Sequence, residues 1–316
     1  MKITVLDRMS LGEDTPLSVL DKFGETIIYD STSAEELVDH VADSDVIVLN
    51  KVKITAQAIR SAQNLKLICV FATGYDNIDV AVARECGVAV CNVPGYSTDS
   101  VALFTMATTL ALYTHLKEYS GYVMDGSYTA SGVANKLTPV YHEMSGKTWG
   151  IIGYGNIGRA VGKIAESMGA RVIVNKRTPI DCCECVDIET LCRESDIITV
   201  HCPLNDGTRG LINSKTIALM KPDVVLVNEA RGAVLCEEDV ATAIENGRIA
   251  AFGCDVYSAE PFGEEHPYNS IKDLKNVILT PHAAWGAYEA RARCISIIAD
   301  NIDAFFSGKI KNRVDI

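Results

Sequence analysis

Neither the pattern of an export signal nor a run long enough to span a membrane is read in the sequence. Its start, MKITVLDRMS, has no basic segment followed by an apolar one, so it reads as a first strand and predicts a cytoplasmic protein. The longest greasy segment, Val101 to Tyr113, is too short for a bilayer and is interrupted by threonines, so no span is expected. Positive charge is also scarce. The 29 Lys and Arg stand against 41 Asp and Glu, giving a net charge of -12 and a pI near 5.0. Broad contact with nucleic acid or an anionic membrane needs basic surface, so neither is expected as a partner and a small-molecule ligand fits better. Cysteine is plentiful but poorly arranged for metal. Cys182-Cys183-Glu184-Cys185, with Cys192 beyond, has no paired CxxC and no nearby His, so no metal is expected. Eleven cysteines, an odd number on a long chain without an export signal, read as reduced thiols.

What is present is alternation. With 316 residues the chain is long enough for two domains that each bury a core. Short β-branched runs, KITVLD, TIIYD, DVIVLN, LKLICVFA and VAVCNV, are separated by helical stretches such as 34–42 and 78–86. One long helix is expected from Ser100 to Tyr119, followed by a polar, Gly- and Ser-rich segment to Lys147. A second series runs through TWGIIG, ARVIVN, SDIITVHC, DVVLVNEA, IAAFGCDV and NVILTP. The closing stretch 287–306 carries Ile295, Ile298, Ile302 and Phe305 at helical spacing. Such alternation predicts an α/β protein of parallel, doubly wound sheets with helices on both faces.

The second series opens on WGIIGYGNIGRAVGKIAESMGARVIV. Gly153, Gly155 and Gly158 follow an apolar strand and start a helix, the context in which a GxGxxG turn brings a pyrophosphate to the helix N-terminus. The alternative is a tight strand-helix turn without a ligand. Two other near-motifs fail: Gly146-Lys147-Thr148 lacks the first glycine of a P-loop, with Tyr141 in its place. Gly95-Tyr96-Ser97-Thr98-Asp99 ends in Asp, where a nucleophile elbow needs Gly.

About twenty residues past the turn, where an Asp or Glu ordinarily binds the NAD ribose, stands Asn175-Lys176-Arg177-Thr178. Asn175 does not repel a 2'-phosphate, and Lys176 and Arg177 offer it charge, which favours NADP or dual use over NAD alone. The alternative has both cations in solvent and Asn175 bonded to the ribose. The full set expected to meet the nucleotide is Gly153, Gly155, Asn156, Ile157, Gly158, Asn175, Lys176, Arg177, Cys202, Pro203, Thr208, Glu229 and Asp255.

Polar residues at the carboxyl ends of parallel strands face the ligand crevice. Arg231, after DVVLVNEA, suits a carboxylate clamp, and its alternative is a surface ion pair. Glu260, in GCDVYSAEP, and His282, in NVILTPHAAW, suit proton transfer, because a carboxylate on one ring nitrogen orients the imidazole and favours its protonated form. Taken singly they read as a solvated acid and a loop histidine.

The motifs GYGNIG, NEARGAVLCEEDV, GCDVYSAEP and TPHAAW, in this order and spacing, resemble the D-isomer-specific 2-hydroxyacid dehydrogenase family over essentially the whole chain. The resemblance implies an NAD(P)-dependent oxidoreductase in which Arg231 binds and polarises the substrate, Glu260 supports the histidine and His282 is the acid/base. It implies a flavodoxin-like substrate domain at 1–98 plus 287–316 and a Rossmann nucleotide domain at 99–286. It also implies a homodimer, with 119–147 as the candidate arm.

Thr73 and Gly74 are expected at the substrate carboxylate. Ala72 and Thr73 stand where phosphoglycerate-type relatives carry a basic residue, which favours an unphosphorylated acid. Lys51 and Trp285 are further candidates for the pocket, against a solvated lysine and a core or interface tryptophan. NVPGYSTDSVA and HAAW resemble the glycerate dehydrogenase, or hydroxypyruvate reductase, branch, while Phe104 stands where relatives often have His. Hydroxypyruvate or glyoxylate is therefore the expected substrate. The alternatives are a D-lactate-type or bulkier 2-oxo acid, or a corepressor-like nucleotide sensor on the same fold.

Overall fold

A computed structural model describes residues 1–178 and 180–316. The chain divides into two compact units, Met1–Ser97 with Trp285–Ile316, and Thr98–Ala284.

In the first unit five parallel strands, β1 (Lys2–Val5), β2 (Glu25–Ile28), β3 (Val46–Leu49), β4 (Leu67–Val70) and β5 (Ala89–Cys91), lie in the order β2-β1-β3-β4-β5. This is the flavodoxin-like order, with its switch point between β1 and β3. β3 and β4 are buried along their whole length, as strands covered on both faces must be. The helices are α1 (Leu37–Val41), α2 (Ala56–Ser61) and α3 (Val80–Glu85), the first and last shorter than the stretches 34–42 and 78–86 expected for them. Thr55 and Asp79 cap the last two by accepting from Ala58 N and Val82 N, which sets where those helices begin.

The second unit starts with helix α4 (Thr98–Tyr113), followed by α5 (Leu116–Met124) and α6 (Ser127–Ser131). The single helix expected over 100–119 is broken, because His115 takes a left-handed φ of 53° that an α-helix cannot continue through. α4 lies directly on the sheet, where a Cβ on Gly253 would stand 2.5 Å from Thr108 Cγ2. Seven parallel strands follow: β6 (Thr148–Ile152), β7 (Arg171–Asn175), β8 (Glu184–Cys185), β9 (Ile197–Val200), β10 (Val225–Asn228), β11 (Ala251–Cys254) and β12 (Val277–Leu279). Their order, β12-β11-β10-β9-β6-β7-β8, is the Rossmann order extended by one strand, with its switch point between β6 and β9. β8, two residues inside the cysteine-rich stretch, carries no periodic signal of its own. The helices α7 (Asn156–Ser167), α8 (Ile188–Glu194), α9 (Ser214–Ile217) and α10 (Glu237–Glu245) complete this unit.

The last helix, α11 (Tyr288–Phe306), returns to the first unit, where Ile295, Ile298 and Ile302 enter its core and Phe305 packs against it. All eleven cysteines are free thiols. Among the described residues no helix is long and apolar enough to cross a membrane. Nor is any group of three His, Cys, Asp or Glu arranged to hold a metal ion.

Candidate active site

Directly after β6 stands Gly153, whose φ of 91° turns the chain toward α7. A Cβ there would lie 2.4 Å from the Cys202 backbone nitrogen, so glycine is required where the chain leaving β9 passes. Gly158 is equally constrained, since its Cβ would meet the Gly153 carbonyl oxygen at 2.2 Å. Gly155 differs: nothing lies within 4 Å of the Cβ it lacks, and as N-cap it brings no side chain to the first N–H groups of α7. An open cradle at the start of a twelve-residue helix fits a diphosphate. Asn156, Ile157 and Gly158 form that helix's first turn.

At the end of β7, Asn175 donates from Nδ2 to the Val186 carbonyl oxygen at 3.0 Å, so its amide nitrogen is engaged in holding the chain beyond β8. Lys176 is half-buried, while Arg177 and Thr178 are exposed. Beyond β9, burial pushes the Cys202 thiol up to about 11. Thr208 Oγ1 donates to the Pro203 carbonyl at 2.6 Å and accepts from Asn205 N at 2.8 Å, which closes the loop 203–208.

The register pairs Val200 with Asn228 and Asn228 with Cys254, and Cys254 with Leu279. The next residue on each strand, His201, Glu229, Asp255 and Thr280, therefore forms a polar row along the carboxyl edge. Burial lowers His201 to about 3, and neither ring nitrogen has a hydrogen-bond partner among the described residues. Glu229 is raised to about 9, by burial first and the neighbouring Asp255 charge second. Asp255 is fully engaged. Its Oδ1 accepts from Thr280 Oγ1 at 2.6 Å and Ala283 N at 2.8 Å, and its Oδ2 from Ala284 N at 2.8 Å.

Those bonds grip the turn that carries His282. This histidine holds a left-handed φ of 54°, a conformation that costs a non-glycine residue about 1–2 kcal/mol and persists only where surrounding bonds impose it. His282 Nδ1 lies 2.6 Å from Glu260 Oε2, and Glu260 Oε1 accepts from Tyr257 N at 3.0 Å. The pair is partly open to solvent, with side-chain exposures of 24% and 29%. Arg231 follows β10. Asn228, the last residue of that strand, bridges its loop by donating to the Arg231 carbonyl and accepting from Ala230 N. The Arg231 guanidinium donates to the Ala230 carbonyl at 2.9 Å.

Lys51, Thr73, Gly74 and Trp285 belong to the first unit. Lys51 N is held by the Asp7 carboxylate at 2.5 Å, together with Asn50 N and Val52 N. Asp7, two residues past β1, went unremarked in the sequence, yet burial raises it and these backbone bonds shape the loop after β3. Thr73 donates to the Val93 carbonyl, and Asn92 donates to the Thr73 carbonyl. Trp285 packs on the first unit's core, edge-on to Tyr96 at 6.2 Å between ring centroids. Phe104 is half-buried on α4. Asn228, Glu237 and Tyr257 lie within the motifs NEARGAVLCEEDV and GCDVYSAEP, yet no role was expected of them; they position the loops. Asn at the last position of a buried strand was the available signal for the first of these.

Residues 106–284 match the model of the D-isomer specific 2-hydroxyacid dehydrogenase NAD binding domain. Over its whole length the chain is 36% identical to the full length of a hydroxypyruvate reductase of Blautia hydrogenotrophica. It is 35% identical to a glyoxylate reductase of Thermococcus litoralis, over 93% of this chain and 91% of that one. An acyclic imino acid reductase solved in complex with NADPH and D-Arg superposes with a TM-score of 0.86 at 30% identity, over 99% of this chain and all of that one. Sequence, strand order and the nucleotide turn agree, and the chain belongs to the D-isomer specific 2-hydroxyacid dehydrogenase family, NAD(P)-binding oxidoreductases acting on the CH–OH group of 2-hydroxy acids.

Proposed function

We propose that this protein reduces hydroxypyruvate or glyoxylate, with His282 as the acid/base, Glu260 as its support and Arg231 as the substrate clamp. The observation that carries the reading is the 2.6 Å pairing of His282 Nδ1 with Glu260, in the same unit as Arg231 and the Gly153–Gly158 turn. With Nδ1 engaged, the proton is exchanged at Nε2. A reduced nicotinamide, when bound, supplies hydride to C2 of the 2-oxo acid. His282 then gives its Nε2 proton to the developing alkoxide, and Glu260 offsets the imidazolium charge. The Arg231 fork holds the substrate carboxylate and the carbonyl oxygen, placing positive charge where negative charge grows.

The second unit is the nucleotide domain on this reading and the first the substrate domain, with Thr73 and Gly74 offering backbone N–H groups to the carboxylate, and Lys51 and Trp285 walling the pocket. Ala72 and Thr73 favour an unphosphorylated acid, and the relatives' names favour a two- or three-carbon one. The cofactor is NADP or either nicotinamide, because Asn175 presents no negative charge to a 2'-phosphate and Lys176 and Arg177 follow it. Two copies pair through residues 119–147. That arm exposes Met124, Leu137, Val140 and Tyr141 while remaining internally packed, with Tyr119 edge-on to Tyr141 and Lys136 over the Tyr122 ring.

The test follows absorbance loss of NADH and NADPH in parallel over hydroxypyruvate, glyoxylate, pyruvate and bulkier 2-oxo acids. Turnover is expected to be greatest on the first two and to fall at least about a hundredfold in Arg231→Ala. No turnover of any 2-oxo acid, or an Arg231→Ala variant of near-normal activity, would refute the reading.

A further inference from the structure

A buried cluster holds the loop that carries Glu260 at Ser258. Glu237, at the start of α10, is 6% exposed. Its Oε1 accepts from Ser258 N at 2.9 Å, and its Oε2 from Ser258 Oγ and from His266 Nε2, the latter at 3.1 Å. The His266 tautomer follows from its other nitrogen: Nδ1 accepts from Tyr268 N at 3.2 Å, so Nε2 carries the hydrogen that Glu237 receives. The glutamate thus accepts three bonds, two of them from a single residue of the loop between β11 and β12.

That residue matters because of the peptide it belongs to. A Cβ on Gly232, the residue after Arg231, would lie 2.0 Å from the Tyr257 carbonyl carbon and 2.2 Å from Ser258 N. The Arg231 loop therefore rests directly on the Tyr257–Ser258 peptide. The preceding peptide reaches Glu260, since Tyr257 N donates to Glu260 Oε1 at 3.0 Å. The Tyr257 hydroxyl donates to the Thr280 carbonyl at 2.8 Å, the same carbonyl that receives His282 N at 3.1 Å. The segments carrying Arg231, Glu260 and His282 all meet Tyr257 or the peptide that follows it, and the side chain that holds that peptide at Ser258 is Glu237.

We propose that Glu237 is a positioning residue: by pinning the Tyr257–Ser258 peptide against Gly232, it sets the mutual placement of Arg231, Glu260 and His282. The inference rests on the acid/base reading of the His282–Glu260 pair. Glu237 touches neither substrate nor cofactor on this account. Releasing the peptide lets Glu260 drift from the imidazole and lets the Arg231 loop rise from its seat, and a misplacement of about 1 Å at a reacting group can cost about a hundredfold in rate.

Glu237→Gln and Glu237→Ala are compared with Ser258→Ala, which removes only a hydroxyl, and with Glu260→Gln as reference. Three quantities are read: kcat and KM for hydroxypyruvate and glyoxylate, the pH profile of kcat/KM, and the downfield proton NMR signal of the His282–Glu260 hydrogen bond, assigned by its loss in Glu260→Gln. The expected result is a fall in kcat of about tenfold to a hundredfold in Glu237→Ala. Its pH profile should move in the same sense as that of Glu260→Gln, and the NMR signal should broaden or vanish. Glu237→Gln, whose amide oxygen still accepts from Ser258 N, should recover part of the loss, and Ser258→Ala should fall between it and the wild type.

Folded variants of Glu237 and Ser258 with an unchanged pH profile and an intact NMR signal overturn the proposal. Should Glu237→Ala not fold, Glu237→Gln and Ser258→Ala decide the matter by the same readouts. A Glu260→Gln variant of wild-type activity and pH profile would instead overturn the acid/base reading, so the two failures are distinguishable.

Discussion

Glu229→Gln tests whether the carboxyl between the ends of β9 and β11 is folded as a neutral acid. Glu229 is 7% exposed, and neither carboxyl oxygen has a hydrogen-bond partner among the described residues. Ionising it in place leaves a buried charge unpaired next to Asp255, which is why its folded value lies near 9 and not at the ordinary 4.5. In the unfolded chain the same group ionises near 4.5. Between these two values the native state holds a proton that the unfolded state has released, so stability falls as pH rises through that window. The contribution is fully present below pH 4.5 and exhausted above about 9. At pH 7 the unfolded carboxyl is some two and a half units past its midpoint, equivalent to about 3 kcal/mol of lost stability. Gln has nearly the same shape and cannot ionise. Any difference between a buried amide and a buried acid adds a constant, so the slope decides. Urea unfolding of the nucleotide-free protein, followed at pH 5, 7 and 8.5, should show the Gln variant gaining on the wild type by about 1.4 kcal/mol per pH unit. A stability difference that stays the same at all three pH values would refute the reasoning.

His201, the residue beside Glu229 in the row of strand ends, should give the opposite slope. Its folded value of about 3 lies below the ordinary 6.5, so the wild type should lose stability relative to His201→Phe as pH falls from 6.5 towards 3, at up to about 1.4 kcal/mol per unit. Parallel melting temperatures across that range would contradict the assigned burial. Gly155→Ala should leave the melting temperature within about two degrees, because its Cβ meets nothing, while weakening NADH and NADPH about tenfold or more in fluorescence titrations. Unchanged affinity would remove the diphosphate from that cradle. Asn175→Asp should weaken NADPH far more than NADH and cost about 1 kcal/mol of stability, since a carboxylate cannot donate to the Val186 carbonyl. An unaltered NADPH-to-NADH affinity ratio would show that residue 175 does not face the ribose.

Of the twelve strands among the described residues, eleven were visible as short β-branched runs, because a strand covered on both faces must be apolar throughout and the chain spells that requirement locally. α11 was visible for a related reason, its isoleucines recurring at helical spacing. β8 was not, since two residues, one of them charged, make no pattern and exist as a strand only by pairing with β7. The break at His115 was also hidden, because nothing in YTHLKE demands a left-handed residue. At the candidate site, motif spacing nominated Arg231, Glu260 and His282, since each chemistry needs a particular residue type at a strand end. Their neighbours were decided only in three dimensions. Asp255, picked out for a nucleotide, grips the His282 turn, and Glu237, which lies within NEARGAVLCEEDV but had no role assigned from it, holds the peptide after Tyr257, beside which the three segments meet. Local pattern specifies elements and the ends of strands because backbone geometry is periodic. Which buried carboxylate is satisfied, and which stays neutral for want of a partner, depends on residues far apart in the chain that meet only once the sheet has formed.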